Sequence, residues 1–461
     1  MPLGADKLPD PYPVRAWEAG SAPFSARVRP PGSKSVTNRA ILLAALARGR
    51  SVLERPLLRA DDAERMIAGV RALGAEVRET AEGNLEVEGV GGRWPCGDVR
   101  LDLGNSGTSV RFLSAAALLA PGPVTIDGNE RMRERPIGEL GEALEALGAR
   151  VDYLGETGTP PLRITPPTRL TTSATVTLPT TVSSQFVSAL LLVAPFLPGG
   201  LTVTLEGRIT SRSYVMMTAG LLDQVGAVVK TTESLSLIRV GGGAGGGAER
   251  AGLDAFRLTI EPDASGATYF WAAASLRPGA VCRVEGLDAR SMQGDANFPD
   301  LLSRMGAAVL REEGATPSLG VRGPGSLSPI MADLSLMPDA AMTLASVACF
   351  AKGMSVLRGL RTLRAKETDR IAAMEREMAK IGVKVEGQVL GDSDSITITP
   401  PKGGVDCSAG SGRVEFETYD DHRMAMSLAL IGLRRPNVWI RNPGCVAKTY
   451  PNFWRDLAAL G

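Results

Sequence analysis

Residues 71–77 read RALGAEV, a helix-like run that breaks at a glycine and resumes with a small residue ahead of valine. The same punctuation returns as EALGARV (145–151), DQVGAVV (223–229), SRMGAAV (303–309) and, more loosely, MAKIGVKV (378–385), while DLAALG (456–461) matches its first half. Glycines 74, 148, 226, 306, 382 and 461 stand roughly 74 to 80 residues apart, too long for a solenoid repeat and suited to a small βαβ-type unit. The spacing predicts six copies of one unit.

A second series interleaves with the first: SKSVTNRAILLAAL (33–46), NSGTSVRFLSAAALL (105–119), SSQFVSALLLVAPF (183–196), DASGATYFWAAASL (263–276), DAAMTLASVACFAKG (339–353) and DDHRMAMSLALIGL (420–433). Each opens with Ser, Asn or Asp, the residues that cap helix N-termini, and continues as an apolar helix. Each unit therefore reads as a capped helix, a strand, a second helix, a glycine turn and a strand. A helix start carries about half a positive charge and several unpaired N–H groups. Six such starts, gathered by symmetry, would make an anion-collecting surface.

Any such surface must be local, because the net charge of the 461-residue chain is only +1. That balance excludes a general nucleic-acid or acidic-membrane binder. The length calls for two or more domains, and no apolar stretch is long enough for a membrane span. Five scattered cysteines with no C-x-x-C pair read as free thiols in a reducing compartment. The first residues lack the apolar core of a signal peptide, and a loose N-terminal arm is expected there. The run VGGGAGGGAERAG (240–252) lacks the G-x-x-x-x-G-K-[ST] pattern and reads as a loop.

Histidine occurs once, at His422, which nearly excludes multi-imidazole metal sites and triads. Lysine, arginine and carboxylates remain. They concentrate in Lys34, Ser35 and Arg39; in RMRERPIG (131–138), where Arg131, Arg133 and Arg135 would share one face of an extended segment; in RAKETDR (364–370); in YDDHRMAM (419–426); and at Lys448. Converging Lys and Arg bind phosphates and carboxylates, and Asp339 and Glu367 among them could move protons. The pattern points to metal-free acid–base chemistry on polyanionic small molecules.

The motifs PGSKSVTNRA, LGNSGTSVRF, ERMRERPIG, SSQF, SRSY, SMQGD, PDAAMT, LRAKETDR, YDDHRMAMS and CVAKTYPNF follow one another across residues 25–461. In this order they resemble the 3-phosphoshikimate 1-carboxyvinyltransferase family. The resemblance implies a two-domain inverse α/β barrel fold of six βαβαββ repeats, three per domain, with the active site in the interdomain cleft. One domain would be discontinuous, residues 1–32 (including an arm, 1–23) plus 262–461, and the other would be 33–261. It implies transfer of the enolpyruvyl group of phosphoenolpyruvate to the 5-hydroxyl of shikimate 3-phosphate through a tetrahedral intermediate. No cofactor, metal, nucleic acid or membrane is implied, and a cytoplasmic monomer is expected.

Carried onto this chain, the resemblance implies that Lys34, Ser35, Arg39, Ser183, Ser184, Gln185, Ser211, Tyr214, Asp339 and Lys366 bind shikimate 3-phosphate. Lys34, Asn105, Gly107, Arg135, Gln185, Arg370, Arg423 and Lys448 would bind phosphoenolpyruvate, and Lys34, Asp339 and Glu367 would be catalytic. Two departures stand out: Thr362 replaces a common asparagine, and SVRFL places Phe112 where proline is frequent. The alternatives are the sister enzyme acting on UDP-N-acetylglucosamine, whose reactive cysteine has no counterpart in 121–135, and a noncatalytic anion-binding protein.

Overall fold

A computed structural model describes residues 8–18, 20–179, 183–207, 209, 211–243, 252–389 and 391–460. Most of the glycine-rich run, 244–251, and the last repeat glycine, Gly461, lie outside the described residues. The chain divides into two compact units, one formed by Met1–Pro31 with Glu261–Gly461 and one by Gly32–Ile260.

In the unit of residues 32–260 the helices are α1 (Lys34–Leu46), α2 (Asp61–Ala72), α3 (Gly107–Ala116), α4 (Glu130–Arg133), α5 (Gly138–Ala146), α6 (Ser184–Val193) and α7 (Arg212–Gln224). Its three sheets share one plan. In the second, Val99–Asp102 runs parallel to Val124–Asp127, which is antiparallel to Leu162–Thr165, itself antiparallel to Arg150–Tyr153. The third sheet repeats this with Ala174–Leu178, Leu201–Leu205, Leu237–Gly243 and Ala227–Thr231. In the first, the leading strand comes from the far end of the unit: Arg257–Thr259 lies parallel to Arg48–Glu54, beside Leu85–Val90 and Glu76–Glu79.

The other unit repeats the plan with α8 (Ala264–Ser275), α9 (Phe298–Arg304), α10 (Ala341–Ala348), α11 (Arg370–Ala379), α12 (His422–Arg434) and α13 (Phe453–Ala458). Ser25–Val28 leads its first sheet, parallel to Val281–Glu285. Five of the six repeats thus combine strand, helix, strand, helix, strand, strand, and the sixth has a three-stranded sheet among the described residues. Reading helices and glycines alone misses one strand of the closing hairpin and the leading strand, which is only three to five residues long and carries little period of its own.

The first helix of each repeat is apolar on all sides and belongs inside. Every residue of α3, α8 and α10 is buried, and α1, α6 and α12 are nearly so. Sheets cover these helices with alternating faces, as in Ala174–Leu178, where every second residue is buried. Each Leu, Ile or Phe so placed contributes about 1.5–3 kcal/mol of burial. The second helices are amphipathic; α2 exposes Glu64 and buries Met66 and Val70. They end at the repeat glycines, whose φ values run from +77° at Gly382 to +108° at Gly74 and Gly306. Such left-handed C-terminal positions favour glycine, and a Cβ on Gly74 would also meet Pro95 at 2.3 Å.

Two expectations are corrected. Side-chain caps form at only three of the six openings: Ser183, Asp263 and Asp421 accept first-turn N–H groups. Ser33 and Ser106 make no such bond, and Asp339 sits in a 3-10 turn ahead of α10. The N-terminal arm is not loose along its described length. Tyr12–Val14 pairs antiparallel with Val438–Ile440, whose other neighbour is Val414–Phe416, and takes the place that the fourth strand holds in the other sheets. Tyr12 packs on Trp454 with centroids 4.4 Å apart, and Val14 lies against bare Gly432, where a Cβ would come within 2.6 Å of it.

Candidate active site

In residues 32–260, cations and hydroxyls occupy the uncapped openings. Lys34 begins α1, its ammonium 2.9 Å from Oδ2 of buried Asp62 in the first turn of α2. Arg39, one turn deeper and 2% exposed, donates to Thr218 Oγ1 (2.8 Å), Ser188 Oγ (3.1 Å) and the Ser35 carbonyl (2.8 Å). All three partners are neutral. Burial pulls the Arg39 guanidinium down to about 10. Phe112 of α3 lies under it, 5.1 Å from ring centroid to guanidinium carbon.

At α3, Ser106 donates to Ser109 Oγ (2.8 Å), and Arg135 reaches Asn105 Oδ1 at 3.4 Å. Gly107 leaves room for that arginine: a Cβ there would stand 2.6 Å from Arg135 Nη2. The segment 131–138 is not extended. Asn129 caps α4 by accepting from Met132 N, so the alternate arginines diverge. Arg131 pairs with Glu134, Arg133 with Asp127, and Arg135 turns to Asn105. Arg111 ties α3 to this segment through the Pro136 carbonyl (2.6 Å), and burial, then Arg135, hold it well below the usual arginine range. At α6 and α7, Ser183 accepts from Gln185 N (3.2 Å), Ser184 is buried, and Ser211 holds a left-handed φ of +52° one turn before Tyr214.

In the other unit Arg370, 1% exposed, sits at the centre of a carboxylate cage. It donates to Asp421 from Nε (2.8 Å) and Nη2 (3.2 Å), to Asp339 from Nη1 (2.9 Å) and to Glu367 from Nη2 (3.0 Å). Asp339 also meets Arg423 at 3.3 Å and Lys366 at 3.4 Å, and Glu367 meets Lys448 at 3.1 Å. Burial alone would raise the Asp339 pKa, but Arg423, then Lys366 and Arg370, outweigh it and hold the carboxyl well below its ordinary range. The cluster thus keeps a buried carboxylate ionised at neutral pH. The KETDR segment is a turn: Lys366 follows a 3-10 turn, and Asp369 caps α11 by accepting from Ile371 N and Ala372 N.

Residues 19–457 match the family model for EPSP synthase, 3-phosphoshikimate 1-carboxyvinyltransferase. The chain belongs to the EPSP synthase family. The 3-phosphoshikimate 1-carboxyvinyltransferase of Nitrosomonas europaea is 40% identical over 433 residues, covering 94% of this chain and 95% of that one. Among solved structures, an EPSP synthase from Acinetobacter baumannii aligns with TM-score 0.77 at 28% identity, over 95% of this chain and 96% of that one. The enolpyruvyl transferase NikO from Streptomyces tendae, 18% identical with TM-score 0.71 over 96% of both chains, shares the fold. As an EPSP synthase family member the chain transfers the enolpyruvyl group of phosphoenolpyruvate to shikimate 3-phosphate.

The residues that the family resemblance implies fall into two sets. Lys34, Ser35, Arg39, Asn105, Gly107, Arg135, Ser183, Ser184, Gln185, Ser211 and Tyr214 belong to one unit, and Asp339, Lys366, Glu367, Arg370, Arg423 and Lys448 to the other. Sequence reasoning missed four participants. Asp62 holds Lys34, and its place in an acidic first turn, DDAE (61–64), was the available signal. Asp421 was legible as a cap but not as a ligand of Arg370, 51 residues away. In SMQGD, Gln293 accepts from the Ala264 N–H (3.0 Å), and buried Asp295 takes the Ser265 hydroxyl, so this motif buttresses the opening of α8. Thr362, the departure noted above, buries its hydroxyl with no protein partner among the described residues.

Proposed function

We propose that Asp339 and Glu367 carry the proton transfers, and that residues of both clusters bind the substrates. Ser35, Ser183, Ser184, Gln185, Ser211, Tyr214 and Lys366 bind shikimate 3-phosphate, the serines its phosphate, and Arg39 receives its carboxylate. Lys34, Arg135, Gln185 and Lys448 bind the phosphate of phosphoenolpyruvate, in a pocket shaped by Asn105 and Gly107. Arg423 and the remaining Nη1 hydrogen of Arg370 bind its carboxylate.

Asp339 removes the proton of the 5-hydroxyl as that oxygen attacks C2 of phosphoenolpyruvate. Glu367 delivers a proton to the methylene carbon, drawing on the Lys448 ammonium 3.1 Å away, and a tetrahedral intermediate results. Glu367 then takes a proton back from the new methyl group as phosphate leaves, assisted by Lys34. The observation that supports this most is Asp339 itself, buried yet kept ionised by three cations, with Glu367 on the same Arg370 guanidinium. In this proposal the two units are domains of three repeats each, and the chain works as a cytoplasmic monomer; among the described residues no helix is long and apolar enough to cross a membrane.

The test is phosphate release from phosphoenolpyruvate with shikimate 3-phosphate, run beside UDP-N-acetylglucosamine. The Asp339→Asn and Glu367→Gln variants should each lose roughly 100-fold to 10,000-fold in kcat while still binding both substrates. Near-normal kcat in either variant removes that residue from its role.

A further inference from the structure

The turn that delivers Asp421 to Arg370 is backbone-strained, and neither the proposed chemistry nor the caps explain what holds it. Tyr419 and Asp420 are consecutive non-glycine residues in the left-handed region, at φ +55° and +54°. Such conformations persist only where the surroundings enforce them. Here the enforcement comes from α11. Arg370 and Glu377 lie seven residues apart, two turns along one face of that helix. Arg370 grips Asp421 at one end of the turn, and Glu377, 1% exposed, grips the other. Glu377 Oε1 accepts the Tyr419 hydroxyl (2.6 Å), and Oε2 accepts the Glu417 N–H (2.9 Å) and the Lys380 ammonium (2.6 Å). Arg376 lies over the Tyr419 ring at 5.0 Å, and burial, then the Glu377 bond, push the tyrosine pKa up to about 12, so the hydroxyl remains a donor. From the other side Asn442, itself at φ +45°, donates to Asp420 Oδ1 (3.0 Å) while its N–H is held by Asp10 of the N-terminal arm (3.0 Å).

We propose that Glu377 is a positioning residue for enolpyruvyl transfer: through Tyr419 and the Glu417 amide it holds the 417–421 turn, and so fixes Asp421 against Arg370 and the first turn of α12 that carries Arg423. This rests on the reading above in which Arg370 and Arg423 bind the carboxylate of phosphoenolpyruvate. Glu377 touches no substrate in this account. Its effect belongs in the KM for phosphoenolpyruvate, with little change in the KM for shikimate 3-phosphate.

The experiment compares Tyr419→Ala with Tyr419→Gly. Both lose the hydroxyl, but only glycine adopts φ +55° without steric cost. The alanine variant should raise the phosphoenolpyruvate KM about tenfold, the cost of a left-handed non-glycine residue that the lost bond no longer holds, and the glycine variant should recover most of that loss. A purely structural role would give no such recovery. Arg423→Lys runs alongside. If it raises the phosphoenolpyruvate KM while both Tyr419 variants stay at the wild-type value, or if glycine is no better than alanine, the clamp is wrong and the carboxylate reading stands. If Arg423→Lys has no effect on that KM, the carboxylate reading falls. The crystal structure of Glu377→Gln then decides the clamp: a turn that leaves positive φ supports it, and an unmoved turn overturns it.

Discussion

The two clusters hold their arginines in opposite ways. In residues 32–260, Arg39 and Arg111 are buried among hydroxyls, carbonyls and a thioether, with no carboxylate partner among the described residues. In the other unit Arg370 is buried against three carboxylates. Burial pulls the first pair of guanidiniums down, whereas for Arg370 the attraction of Asp421, Glu367 and Asp339 outweighs burial and raises it. A buried cation without a counter-ion is unstable until an anion arrives, so the first arrangement suits a receptor. A balanced network is stable alone and serves instead to set the charge state of its members.

The largest expected effect separates these arrangements by stability. Asp421→Ala leaves Arg370 undercompensated and uncaps α12, and should cost about 3–5 kcal/mol in chemical denaturation. Arg39→Met removes an uncompensated charge and should leave stability unchanged or higher, while abolishing tight binding of shikimate 3-phosphate. Equal destabilisation by the two would erase the distinction.

The next effect is a pH dependence. Burial, with repulsion from Asp339 and Asp263, raises the Asp295 carboxyl from 3.8 to about 7 against the opposing pull of Arg423 and Ser265. Between pH 4 and 7 the folded state therefore keeps a proton that the unfolded chain has released, and stability falls as pH rises through that window. Asp295→Asn lacks this term, so its Tm should gain on the wild type from pH 4 to 7 and run parallel above pH 8, with a total difference on the order of a few kcal/mol. A gap that does not vary with pH contradicts this.

Gly107→Ala drives a methyl group into the Arg135 guanidinium, and should raise the phosphoenolpyruvate KM roughly tenfold to a hundredfold with little change in Tm. Steady-state kinetics check it. The smallest effect is at Phe112→Leu, which removes the ring under Arg39 and should raise the shikimate 3-phosphate KM about threefold.

The recurring glycines and apolar helices made the repeat legible, because helix period and left-handed turns leave strong marks on composition. Short leading strands such as Met331–Asp333 left none. The arginines of 131–135 were visible but their directions were not, since Asn129 capping a four-residue helix decides them. Cation-rich motifs announced anion chemistry, yet nothing local distinguishes Arg39, which meets neutral hydroxyls 149 and 179 residues away, from Arg370, which meets Asp421. The N-terminal arm looked loose because a strand containing Pro13 reads as a breaker, while at this sheet edge the missing N–H is tolerated.

The division of labour is tested most directly by equilibrium binding of shikimate 3-phosphate to Arg39→Met and Asp339→Asn, with turnover measured on the same preparations. The account predicts that Arg39→Met loses affinity, whereas Asp339→Asn binds within a few-fold of wild type and barely turns over. Retained affinity in the first variant, or near-normal turnover in the second, would contradict it.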